Sequence, residues 1–112
     1  MRLLMYLGLI LCLVWGTLAR ADETADPTRR ALIIAIGDYP AHSGWKDLSS
    51  LRDAELIEEA LRGQRFGQVE LLADSDATAV GILSALDQLA SQTQPGDTVV
   101  VHYSGHGDQA AD

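Results

Sequence analysis

Six consecutive apolar residues, Ala31-Leu32-Ile33-Ile34-Ala35-Ile36, constrain the fold of this chain more than any other feature. A strand with one face in water alternates apolar and polar side chains. An unbroken run of this length suits a strand buried on both faces, as in a parallel sheet. Gly37-Asp38-Tyr39-Pro40 ends the run with turn chemistry.

Parallel strands need long crossovers, and the sequence supplies two. After a loop from Ala41 to Ser50, the residues Leu51, Ala54, Ile57 and Leu61 recur at helical spacing, with Leu56 and Ala60 widening the stripe. Ser50 followed by Asp53 resembles a capping box with the shorter acid, and Gly63 is placed to end the helix. Val69 to Leu72 reads as a short strand, closed by Ala73-Asp74-Ser75-Asp76. Ala79, Ile82, Leu83, Leu86, Leu89 and Ala90 then form a second amphipathic stripe, with Ser75, Asp76 or Thr78 available as its N-cap. Pro95-Gly96-Asp97 breaks the chain before a third strand, Thr98 to Tyr103. Strands alternating with helices in this way imply right-handed crossovers. The expected fold class is α/β, a βαβαβ part of a doubly wound, mainly parallel sheet with helices on both faces. In such sheets ligands bind beyond the carboxyl ends of the strands. Gly37-Asp38-Tyr39, Asp74 and Ser104-Gly105-His106-Gly107-Asp108 fall at that edge.

The first residues stand apart from this pattern. Leu3 to Leu18 is an almost unbroken apolar run behind Arg2, and Ala19-Arg20-Ala21 carries small residues at the two positions of a secretory cleavage site. The expectation is a signal peptide over 1–21, a polar linker over 22–30 and a folded part over 31–112. Export by the secretory route, to the periplasm or the exterior, follows; the alternative is an uncleaved membrane anchor over residues 3–18. Cys12, the one cysteine, lies in the apolar run. The segment after the expected cleavage therefore has no thiol for a disulfide, a zinc-thiolate site or a nucleophile. Taking Arg2 and Arg20 from the eight basic side chains leaves six against sixteen acidic ones, a formal charge of −10. That charge disfavours nucleic acid, and a membrane after signal cleavage, as partners, and it also serves solubility.

A histidine between two glycines just past a buried strand is placed for chemistry. The glycines let backbone N–H groups approach a substrate, and the strand fixes the ring. A turn histidine is the plainer alternative. Tyr103-Ser104-Gly105-His106-Gly107, closing an apolar strand, resembles the Ser-Gly-His-Gly histidine motif of the caspase and metacaspase peptidases. Ala31 to Asp38 is similar to the first strand of that family, Leu51-Arg52-Asp53-Ala54 to its Asp-Ala helix entry, and Ala77-Thr78 to the opening of its second helix. With Pro95-Gly96-Asp97 before the third strand, the resemblance runs from residue 31 to 109.

The resemblance implies a cysteine-type endopeptidase acting on a protein or peptide. His106 would draw the proton from the thiol and later protonate the leaving amine. The N–H of Gly107 would be one arm of the oxyanion hole. The resemblance also implies a nucleophilic cysteine about 50 residues beyond the histidine. On this basis the chain is the amino-terminal part of a caspase-like domain, a fragment inactive by itself. Asp53 and Ser104 match positions that line an acidic pocket in metacaspases, which implies cleavage after Arg or Lys. No cofactor is implied, and calcium dependence is left open.

Other readings of the same residues stand beside these. Asp53 in a first helical turn is favoured by the helix dipole, Asp38 and Asp74 suit turns, and Ser104 can bond its own loop. His102 shares a strand face with Val100 and suits packing, while Tyr39 and Trp45 suit loop anchoring. His102, His106 and Asp108 have no metal-ligand spacing, and no metal is expected. A non-catalytic caspase-like binding module lacking the cysteine is the alternative function. A small-molecule βαβ domain is disfavoured because Gly37-Asp38-Tyr39-Pro40 lacks the repeated glycines of a phosphate-binding loop.

Overall fold

The computed structural model describes residues 27–110. The expected signal segment with Cys12, and the linker up to residue 26, lie outside the described residues. Five elements follow one another: β1 (Arg29–Ala35), α1 (Ser50–Gly63), β2 (Gln68–Ala73), α2 (Ala79–Gln92) and β3 (Thr98–Ser104). The strands form one sheet in the order β2-β1-β3, with β1 parallel to both neighbours. This is the α/β fold class expected from the sequence.

The unbroken apolar run occupies the centre of the sheet. Leu32, Ile33, Ile34 and Ala35 are all at most 4% exposed, so β1 is covered from both sides. On one face Ala54 of α1 packs on Ile33 and Ala35, with Ile57, Leu61 and Val69 around them. On the other face Ala85 of α2 joins Leu32, Ile34 and Ala77, flanked by Ile82, Leu86 and Leu89. Each buried Leu or Ile contributes about 1.5–3 kcal/mol. The fully covered apolar residues of the two helices are small, Ala54 and Ala85, and larger, partly buried side chains pack around them.

Several boundaries differ from the sequence expectation; β2 runs one residue further at each end, to Gln68 and Ala73, and β3 one further, to Ser104. β1 begins at Arg29, inside the expected linker, because pairing rather than hydropathy defines a strand. Arg29 is in register with Thr98, and Arg30 with Gln68. The Arg30 guanidinium is satisfied by Asp97 at 3.4 Å and by the Gln68 side chain. The Ser50–Asp53 capping box does not form. The Arg52 and Asp53 N–H groups bond the carbonyl of Ser49, which makes Ser49 the N-cap and Ser50 a buried first helical residue. Gly63 is the last helical residue, as expected, and the left-handed turn that follows it falls on Arg65, with φ 64°. Thr78, one of three N-cap candidates, caps α2 by accepting the Gly81 N–H at 3.0 Å.

The chain leaves β1 for β2 on one side and later crosses to β3 on the other. Between the carboxyl ends of β1 and β3 the connections run apart, which is where such sheets open a crevice. The Ile36 N–H, just past β1, bonds the Ser104 carbonyl at 2.9 Å and holds the two strand ends together at that point.

Candidate active site

Two segments meet over the β1–β3 end: the loop from Gly37 to Ser49 and the residues following Ser104. The loop is closed at its base by the Leu48 N–H on the Gly37 carbonyl, at 2.9 Å. Only glycine fits there, since a Cβ on residue 37 would lie 2.6 Å from the Leu48 oxygen. Asp74, at the end of β2, accepts the Gly37 and Asp38 N–H groups on one carboxylate oxygen, at 2.8 and 3.0 Å. Those two bonds, that to Asp38 first, hold its pKa below the ordinary value of 3.8. Asp47 accepts the Tyr39 N–H at 2.9 Å. A turn at Ala41–Ser43, followed by Gly44 at φ 79°, carries the chain round to Trp45 and Lys46.

This loop flanks the half-buried imidazole of His106. The Trp45 ring stacks on it with centroids 4.8 Å apart and planes 29° apart, while Tyr39 meets it edge-on at 4.7 Å. His106 Nε2 lies 2.7 Å from the carbonyl oxygen of Lys46. A carbonyl only accepts, so Nε2 carries the hydrogen, and in the neutral ring Nδ1 keeps its lone pair. An imidazole held in this tautomer, with its plane fixed by two aromatic rings, can take a proton at Nδ1 from a group brought beside it.

The main chain of His106 is held as firmly as its ring. Its N–H donates to the Tyr39 hydroxyl at 2.8 Å, and its carbonyl accepts from the Tyr103 hydroxyl at 2.6 Å. The next residue, Gly107, is exposed, and nothing lies within 4 Å of where a side chain would begin. Among the described residues no hydrogen bond engages its N–H.

Asp53 and Ser104 are brought together from 51 positions apart, with the Ser104 hydroxyl donating to the Asp53 carboxylate at 3.4 Å. Asp53 lies in the first turn of α1, and Ser104 ends β3 two residues before the histidine. His102 is half-buried on the strand face it shares with Val100. Among the described residues no three His, Cys, Asp or Glu side chains gather as a metal site would require. A cleft of about 450 Å³ lined by Ile36, Asp38, Tyr39, Pro40, Asp74 and Thr78 shares Tyr39 with the site but not His106.

Of the residues singled out in the sequence, His106, Gly107, Asp53 and Ser104 all lie at the carboxyl edge. Tyr39 and Trp45, expected to anchor the loop, instead frame the imidazole, and Tyr103, expected only as strand, grips its main chain. Two aromatic residues in the loop leaving β1 were the available signal. Lys46 gave none, because it acts through its carbonyl.

No curated protein and no solved structure matches the chain. The family model of the caspase domain in C14 peptidases matches residues 28–112. A parallel sheet with β1 at its centre, a histidine between glycines beyond β3 and a match over all the described elements lead to one conclusion: the chain belongs to the caspase domain family.

Proposed function

We propose that this chain supplies the histidine half of a cysteine-type endopeptidase centre. The observation that carries the proposal is the His106 imidazole held between Tyr39 and Trp45, with Nε2 committed to the Lys46 carbonyl at 2.7 Å and Nδ1 left with its lone pair. Nδ1 takes the proton of a thiol as the thiol attacks the scissile carbonyl, then returns it to the leaving amine. A base positioned in this way contributes about 10²–10⁴ in rate. Residues 22–112 contain no cysteine, so the nucleophile is supplied from beyond Asp112. The Gly107 N–H donates to the oxyanion that develops during attack. A donor of this kind contributes about 3–4 kcal/mol to transition-state stabilisation.

The Asp53 carboxylate beside Ser104 supports a preference for Arg or Lys before the cut. A guanidinium or ammonium group would find an exposed anion in the first turn of α1, close to the histidine in sequence through Ser104. The apolar run at residues 3–18 followed by Ala19-Arg20-Ala21 supports export, and fractionation of producing cells would find the domain outside the cytoplasm. Among the described residues no helix is long and apolar enough to cross a membrane.

The test uses the full-length protein and peptides that differ only in the residue before the cut. His106→Ala is expected to abolish cleavage of an Arg-containing peptide and to leave the circular dichroism spectrum unchanged. Undiminished cleavage removes His106 from the mechanism. Equal cleavage after Arg and after Asp removes Asp53 from specificity.

A further inference from the structure

Tyr103 is unusual for a strand aromatic. It is 49% exposed, on a face it shares with Val99 and Val101, themselves 40% and 49% exposed. Core packing therefore does not account for it. Its hydroxyl, however, donates at 2.6 Å to the His106 carbonyl oxygen. Room for that bond comes from Gly105, where a Cβ would lie 2.6 Å from the Tyr103 oxygen and 3.1 Å from that of Tyr39.

The carbonyl held by Tyr103 belongs to the peptide that joins His106 to Gly107. No cis bond occurs among the described residues, and in a planar trans peptide C=O and N–H point in opposite directions. Fixing the His106 oxygen therefore fixes the direction of the Gly107 N–H. Gly107 cannot fix it alone, because it has no side chain and open space around it. A hydrogen bond accepted at the carbonyl also polarises the peptide and strengthens its N–H as a donor.

Resting on the reading of Gly107 as an oxyanion donor, we infer that Tyr103 is a positioning residue for the oxyanion hole. Its hydroxyl locks the His106–Gly107 peptide so that the Gly107 N–H faces the reacting carbonyl. Burial, and then the neighbouring Tyr39 phenol, raise the Tyr103 pKa above 10.0, so the hydroxyl remains a donor throughout the neutral range. Tyr39, whose hydroxyl flanks Gly105 beside that of Tyr103, accepts the N–H of His106 and has no hydrogen bond to the 106–107 peptide among the described residues.

Tyr103→Phe keeps the ring and removes only the hydroxyl. In crystals of the full-length protein the variant is expected to show the 106–107 peptide rotated from its wild-type plane. Its kcat is expected to fall about tenfold, short of the 10²–10³ that deletion of an oxyanion donor costs. KM, and the pH dependence of kcat/KM that reports the histidine, stay as they were. A wild-type peptide plane with wild-type kcat overturns the inference, as does a loss confined to KM. If the unmodified protein cleaves nothing while the variant's peptide rotates, the peptidase reading fails and the positioning of the N–H stands. If the unmodified protein cleaves and the variant matches it in plane and rate, the positioning fails and the peptidase reading stands.

Discussion

Asp74 and Asp97 serve the same purpose at opposite edges of the sheet. Asp74 ties the end of β2 to the loop that holds His106. Asp97 accepts the Gln94 and Thr28 N–H groups and pairs with Arg30, joining the starts of β1 and β3. Donated N–H groups hold both carboxylates below their ordinary value of 3.8, from Asp38 and then Gly37 at Asp74, and from Gln94 and then Thr28 at Asp97. The sign follows from linkage. A carboxylate more acidic in the folded state contributes its full stability above 3.8, and that contribution is lost as the pH falls through the lower folded value. The unfolding temperature is therefore expected to be level from neutral pH to about 5 and to fall below about 4. Asp97→Asn should lower it at neutral pH and flatten the acid limb; an acid limb of unchanged depth would show that Asp97 has no part in it. Asp74 and Asp97 were legible only as turn residues, because the N–H groups they accept are main-chain groups, up to 69 positions away. The same holds for His106. Its flanking glycines marked it, but Tyr39 and Lys46, 67 and 60 positions earlier, have no local pattern that points to it.

Among the elements, both helices were legible in the helical spacing of their apolar residues, and the three strands in short apolar runs bounded by turn residues. Some ends were legible too, Gly63 at the close of α1 and Thr98 at the start of β3, but the hydrogen bonds that cap them were not. The close of α1 shows why. The Arg65 N–H bonds the Arg62 carbonyl and the Phe66 N–H bonds the Leu61 carbonyl, at 3.0 and 3.1 Å, the paired bonds of a Schellman turn. That turn needs a left-handed residue at position 65, two after the glycine that marks the helix end in the sequence. Arginine in this conformation costs about 1–2 kcal/mol that glycine does not. Arg65→Gly is expected to stabilise the protein by about 1 kcal/mol in urea denaturation, with no change in the site. A destabilised variant would mean that the Arg65 side chain does more for the fold than its backbone takes from it.

At the scale of the whole molecule, the sheet order has a kinetic consequence. β1 is hydrogen-bonded on both sides and covered by both helices, whereas β3 is bonded only to β1 among the described residues, and its Val99, Val101 and Tyr103 stand partly in water. Opening free energies are not uniform across a fold, and elements with few buried contacts open first. In amide hydrogen exchange of this chain, Leu32 to Ala35 should exchange last, at the rate of global unfolding. The β3 amides should exchange earlier, through a partial opening that leaves the β1–β2–α1 unit folded; simultaneous exchange of β1 and β3 would rule such an opening out. His106 travels with β3, while Trp45 and the Lys46 carbonyl stay with β1. Each opening would thus part the imidazole from the groups that select its tautomer, and the molecule would lose its proton acceptor before it loses its fold.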